Sequence, residues 1–251
     1  MTRPTLTRAA ALFGVLTIWQ IVAWFGPLPP HVLPGPGAVL ASMQSGFADG
    51  TLVDGILVSL RRLALGYGVS SAAGVCLGVA MGRSKTVEHL LGTIVAGLQP
   101  LPSICWMPLA LIWFGLNEKA ILFVVVLATL GTVALSVRDA VLGIPKLWIR
   151  AATNMGLRGV RLWWRVLVPA ALPGTLTGLR IGWSYAWRAL MAGVLLFVAG
   201  GLGQVMHVGR ELNDMARVMA GMVAIVVLGL LFDSVLLGSV EQRMRRKWGL
   251  V

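Results

Sequence analysis

The stretch RAATNMGLRGVRLWWRVLVPAALPG, residues 150–174, breaks a chain otherwise written in long apolar runs. It holds four arginines, two tryptophans and two prolines. Around it, 57% of the 251 residues are hydrophobic and 12% are charged, with a mean hydropathy of +0.85. A soluble domain carries roughly twice that charged fraction. A bilayer core about 30 Å thick takes about 20 apolar residues per helical crossing. Six such runs are legible, at residues 9–26, 56–82, 90–113, 120–137, 174–198 and 217–240. The expected fold is an all-α polytopic membrane protein with six transmembrane helices, one domain over residues 1–251. The first run follows Arg3 and Arg8 but ends in GPLPPH rather than a small-x-small cleavage site, so it reads as a retained span. GPLPPHVLPGPG, residues 26–37, should be extended or turning rather than helical.

The net charge of +12 comes from 21 Lys and Arg against 9 Asp and Glu, and the basic residues fall in the gaps between apolar runs. That is a topology signal rather than a nucleic-acid footprint. With the N-terminus inside, fourteen basic residues lie on cytoplasmic segments, among them Arg83, Lys85 and a cluster at residues 243–247. Five lie outside: Arg61, Arg62, Lys119, Arg210 and Arg217. The asymmetry predicts both termini in the cytoplasm, and with them the hydrophilic segment 138–173 between spans 4 and 5.

Enzymatic readings find little support. GVAMGRSKT (residues 78–86) has the ingredients of a phosphate-binding loop in the wrong order. His31, His89 and His207 are scattered over three segments, so neither a metal site nor a Ser/His/Asp arrangement can be assembled. Cys76 and Cys105 sit in apolar runs as small packing residues.

Two runs carry small residues at every fourth position: Gly66, Ser70, Gly74, Gly78 and Gly82 in span 2, and Gly174, Gly178, Gly182 and Ala186 in span 5. Such rows let helix backbones approach closely in lipid. Static packing and sliding between transport states are both compatible with them.

Residues 138–173 read as two short helices. KLWIRAATNM forms the first, and Gly156 with Gly159 permits a sharp change of direction. VRLWWRVLV forms the second, with Leu162, Trp163, Val166 and Leu167 on one face and Arg158, Arg161 and Arg165 opposite. Pro169 should stop it, and Pro173 should fall in the first turn of span 5. An amphipathic segment of this kind could anchor to anionic headgroups.

The spacing also matches a longer pattern. Ala151, Ala152, Gly156, Val166, Val168 and Pro169 follow the order Ala-Ala, three residues, Gly, nine residues, then hydrophobic-x-hydrophobic-Pro. This resembles the cytoplasmic signature of permease subunits of binding-protein-dependent ABC importers, EAA-x3-G-x9-I-x-L-P. LPGPGAVL (residues 33–40), LPSICWMPLALIWFGLNEKA (101–120) and VPAALPGTLTGLRIGWSYAW (168–187) resemble the branch serving sulfonate, taurine and nitrate importers. Arg150 departs from the pattern, standing where the signature has Glu. The resemblance implies coupling helices between spans 4 and 5 that dock on a separate ATPase through Ala151, Ala152, Gly156, Val166, Val168 and Pro169. It implies a chain that hydrolyses nothing and holds no cofactor or metal, ATP and Mg being bound by two partner ATPase subunits. It further implies a second permease copy, a periplasmic or lipid-tethered solute-binding protein, and a place in the bacterial inner membrane. The solute would be small and anionic. A stand-alone secondary transporter or channel is the reading from another class.

Charged residues inside the apolar runs cost roughly 2.5–3.5 kcal/mol each at mid-bilayer, so each should face protein or water. Arg180 in span 5 and Asp233 in span 6 lie at similar depth and are expected to pair, with snorkelling of Arg180 as the alternative. Arg188 lies about 12 Å further along the helix, and spans 1–4 contain no acid to meet it. It is a candidate for the translocation pathway, or for bonding carbonyls near the span 3 prolines. Trp183 and Trp187, four residues apart, would line that path, stack on the guanidinium, or face lipid.

Overall fold

The computed structural model describes residues 3–196 and 200–233. The ends of the fifth and sixth expected runs (197–198 and 234–240) and the basic cluster at 243–247 lie outside the described residues. Among the described residues there are helices and turns but no strand. In chain order they are α1 (Arg3–Phe25), α2 (Pro36–Ala48) and α3 (Thr51–Arg83), then α4 (Lys85–Val87), which passes through a π turn at Glu88–Gly92 into α5 (Thr93–Leu98). A 3-10 turn (Ser103–Trp106) leads into α6 (Met107–Phe114), followed by α7 (Glu118–Leu142) and α8 (Lys146–Asn154). Then α9 (Gly159–Leu162) runs through a π turn at Trp163–Leu167 into α10 (Val168–Leu196). Two further helices are α11 (Leu202–Glu211) and α12 (Met215–Leu231).

By length and composition α3 and α7 can each cross a bilayer. The pair Lys85–Leu98 and Ser103–Phe114 would make a third crossing as one broken span, bent by 102°. The run expected over residues 90–113, interrupted by Pro100, Pro102 and Pro108, is broken between Leu98 and Ser103. Pro100 and Pro102 have no N–H for a helical ladder; Gln99 is still helical at φ −58°, ψ −38°, and the chain is extended by Pro102 at φ −56°, ψ 137°. Apolar helices Ala10–Phe25 and Met215–Leu231 are shorter.

Three other expectations change. Helix α2 was not foreseen: residues 26–35 turn or extend as expected, and α2 begins at Pro36, which occupies its first turn. Helix α3 starts at Thr51, five residues before the apolar run, behind Gly50 at φ +79° and Asp49, whose carboxylate accepts from Thr51 Oγ1 at 2.7 Å and Thr51 N at 2.9 Å. Those bonds, side chain first, hold the Asp49 carboxyl below the usual range. Finally, Pro169 does not stop a helix and Pro173 does not begin one: both lie within α10. The ring of a proline crowds the carbonyl four residues earlier. For Pro169 that is Arg165, which lies in the π turn, where the ladder is already widened.

The described residues divide into two compact units. One takes described residues 3–59 and 200–227. In it, Trp19 Nε1 donates to Pro34 O at 3.1 Å, fixing the turn after α1, and Leu202 N donates to Ser59 Oγ at 3.0 Å. Helix α11 ends with Asn213 at φ +55°, and the Asn213 and Asp214 amides return to Arg210 O and Gly209 O at 3.2 and 2.8 Å, the pattern of a Schellman cap. Helix α12 then folds back against α11: a Cβ on Gly221 would stand 2.7 Å from Met206 Cγ.

The other unit takes described residues 60–196 and 228–233 and is organised around α7. Asn117 caps α7 by accepting from Lys119 N at 2.8 Å. Ile121, Val124, Val125, Val133 and Ala134 of α7 are fully buried. Both small-residue rows face this helix. On the α3 side, a Cβ on Gly66 would stand 2.8 Å from Val125 Cγ1, on Gly74 2.9 Å from Val133 Cβ, and on Gly82 2.7 Å from Val141 Cβ. Gly78 abuts the Ala134 carbonyl oxygen. On the α10 side, a Cβ on Gly174 would stand 2.7 Å from Ala140 Cβ and on Gly182 2.6 Å from Val133 Cγ2, while Gly178 abuts Ser136. Ser70 and Ala186 are fully buried.

Gly78→Ala should therefore lower stability by about 1–3 kcal/mol through overpacking. Gly68→Ala, on the same helix with no atom within 4 Å of the added carbon, should be neutral or stabilising by up to about 1 kcal/mol. Thermal unfolding of the two variants in detergent checks the contrast.

Candidate functional site

The elbow between α7 and α10 is built by local chemistry. Helix α8 ends in a Schellman cap: Gly156 N donates to Thr153 O and Leu157 N to Ala152 O, both at 3.0 Å. The cap needs a left-handed residue, and Gly156 supplies it at φ +83°. Gly159, at φ +56°, turns the chain again into α9. The two alanines divide. Ala152 is buried, whereas Ala151 is exposed in a stripe with Leu147, Arg150, Asn154 and Met155. Val166, Val168 and Pro169 are half-buried, Val166 in the π turn that packs against α8 and the other two at the start of α10. Arg158, Arg161 and Arg165 are exposed, and Arg83 at the end of α3 lays its guanidinium 4.6 Å from the centre of the Trp163 ring.

A second feature is a cleft of about 440 Å³ at the break between α5 and the following 3-10 turn. Gln99, Pro100, Pro102 and Ser103 come from the break, Ala128 and Gly131 from α7, and Tyr185 and Arg188 from α10. Gln99 is positioned by Thr132, to whose Oγ1 its Nε2 donates at 3.2 Å. Arg188 is exposed, its Nε donates to Ser184 O at 3.1 Å, and its guanidinium lies 4.4 Å from the Tyr185 ring centre. It bonds its own helix rather than the carbonyls of the proline break. Among the described residues no carboxylate pairs with it. The terminal guanidinium nitrogens are thus left as donors of the kind that grip oxyanions in pairs.

Trp183 does not line this cleft. It is buried with Tyr67 edge-on at 5.1 Å and Phe232 stacked at 5.4 Å, and Trp187 lies 6.5 Å away. Neither tryptophan stacks on Arg188; Tyr185 does. The reason is rotational: residues 183 and 187 share the face turned into the bundle, and 185 and 188 lie on another.

Arg180 and Asp233 are brought together in a bidentate pair, Nε to Oδ1 at 2.9 Å and Nη2 to Oδ2 at 2.8 Å. A further pair escaped sequence reasoning. Arg62, 3% exposed, places Nη2 2.7 Å from Glu118 Oε1. Arg62 was counted among the outside basic residues, and nothing local to it or to Glu118 signals the other across fifty-six positions. Gln99 was also missed, although a polar side chain beside Pro100 in an apolar run was a usable signal.

A family model described as binding-protein-dependent transport system inner membrane component matches residues 74–246. The taurine transport system permease protein of Escherichia coli (strain K12) is 33% identical over 238 residues, covering 93% of this chain and 86% of that one. The bicarbonate transport system permease protein of Synechocystis sp. (strain PCC 6803) is 26% identical over 231 residues, covering 88% and 82%. Among solved structures, a chain of the MetNI methionine ABC transporter in an inward-facing conformation superposes with a TM-score of 0.66 at 21% identity. The match covers 80% of this chain and 97% of that one.

Breaking the Arg180–Asp233 pair from one side leaves a half-buried charge without its carboxylate or guanidinium match, whereas replacing both groups by apolar ones does not. Asp233→Leu alone should destabilise more than Arg180→Leu combined with Asp233→Leu. A double-mutant cycle on detergent melting temperatures measures the coupling.

Proposed function

Since this chain belongs to the family of binding-protein-dependent transport system inner membrane components, we propose that it is the pathway-forming permease subunit of an ATP-driven importer for a small anionic solute. In this reading six crossings surround the pathway, both termini are cytoplasmic, and two copies of the chain enclose the solute route. Two ATPase subunits grip the elbow formed by α8 and α9, and an external binding protein delivers the solute. ATP binding closes the ATPases, draws the elbows together and turns the pathway outward.

The observation that carries this reading is the elbow itself. Its glycine cap sets the bend after α8, α8 packs against the π turn, and α9 continues through that turn into α10. Arg188 sits on that same helix, twenty residues after its start and so roughly 30 Å from the elbow. The cleft beside Arg188 is concave, mostly apolar, and furnished with the polar side chains of Gln99, Ser103, Tyr185 and Arg188. That arrangement suits a sulfonate, nitrate or bicarbonate group. The taurine and bicarbonate permeases among its relatives support the anionic class.

Four measurements test the proposal. The chain should co-purify with the ATPase subunit of its own importer, and uptake should require ATP; ATP-independent uptake by the chain alone would make it a secondary transporter or channel. Gly156→Trp should leave the protein in the membrane but uncouple ATP hydrolysis from uptake. Arg188→Met should reduce uptake of taurine, nitrate or bicarbonate, whichever the wild type carries, by about tenfold or more, the worth of a charge-assisted hydrogen bond. Unchanged uptake would remove Arg188 from the pathway.

A further inference from the structure

Between Asp139 and Glu211 the chain contains no Asp or Glu, yet the elbow carries Lys146, Arg150, Arg158, Arg161 and Arg165. All five are exposed, and among the described residues none is paired with a carboxylate. Arg150 is distinguished by its place. Leu147, Arg150, Ala151, Asn154 and Met155 recur at helical spacing along the exposed face of α8, while Ile149, Ala152 and Thr153 are covered or half covered. Leu147 is 72% and Met155 81% exposed, so the cation stands between two bare apolar side chains with a small residue beside it. An arginine within an apolar surround is the composition of an interface centre, where water is excluded and a planar fork can meet a carboxylate with two hydrogen bonds.

Resting on the importer reading above, we propose that the ATPase subunit receives α8 in an acidic groove, and that a carboxylate in that groove pairs with Arg150. The charge sense at this contact is then opposite to that of the signature, whose Glu stands at position 150. Arg158, Arg161 and Arg165 extend the same sign around the bend, so the acidic surface of the partner continues beyond the groove. This sets partner choice as well as affinity. An ATPase with a basic groove is repelled by all five charges, and like-charge juxtaposition across an interface costs several kcal/mol.

Anionic lipid offers the same charge, and the experiment separates the two. Wild type, Arg150→Gln and Arg150→Glu are each co-expressed with the ATPase subunit of the same importer. The complexes are placed in nanodiscs of phosphatidylcholine or of phosphatidylglycerol, and dissociation of the ATPase is followed against salt concentration. Arg150→Glu should weaken ATPase binding by roughly thirtyfold or more, with Arg150→Gln between it and wild type, in both lipids alike. Wild-type binding should fall with salt, and Arg150→Gln should flatten that dependence. Equal binding by all three, or a loss confined to phosphatidylglycerol, overturns the acidic groove while leaving the importer reading intact. Failure of the wild type to hold the ATPase overturns both. Arg150 is exposed, and unchanged melting temperatures of the permease variants alone show that binding, not folding, is being read.

Discussion

Helix α7 is clasped from two sides by side chains that are not there. The α3 row and the α10 row bring their backbones so near that added Cβ atoms would overlap Val125, Val133, Ala140 and Val141. Val133 is met from both directions, by Gly74 and by Gly182. In lipid this matters more than in water, because burying apolar surface against another helix gains little over burying it in acyl chains. Dispersion contact at short range and the loss of voids must hold the bundle, and both require small residues on the approaching helices. Once α3, α7 and α10 are locked this way, displacement of one is felt by the other two.

Such a lock gives the elbow something to push on. Helix α8 packs against the π turn, the π turn runs into α10, and α10 carries Arg180 in its ion pair and Arg188 at the cleft. The ladder is widened at Trp163–Leu167, with Val168 between that turn and Pro169. Arg83 holds Trp163 of that turn from the end of α3. The elbow is thus joined to the three-helix core through a π turn that a cation–π contact ties to α3.

The cations of this acid-poor chain are accommodated in distinct ways. Arg62 and Arg180 take carboxylates from distant segments, while Arg83 and Arg188 lie over aromatic rings. The carboxylate pairs tie helices together: α3 to the start of α7, and α10 to the residues following α12. The ring contacts leave hydrogen-bonding capacity unspent, which suits a group meant to meet something else.

What the sequence determined by itself was everything carried by composition and short-range order. Apolar length announced a membrane protein, four-residue spacing marked the glycine faces, and the AA-x3-G spacing located the elbow. Gly156 was legible because a helix cap of that geometry favours glycine, with Asn, as at Asn213, the usual substitute. Arg180 and Asp233 were suggested by counting depth along two helices. The prolines were misjudged, since a π turn upstream can absorb what a regular helix cannot, and nothing in RLWWRVLV announces a π turn. The 102° break was visible as three prolines but not as an angle. Tertiary structure alone decided that both glycine rows meet the same helix, that Arg62 finds Glu118, and that Tyr185 rather than a tryptophan supports Arg188. Each of those depends on how far one helix is rotated about its axis relative to another, a quantity set by packing among many side chains at once.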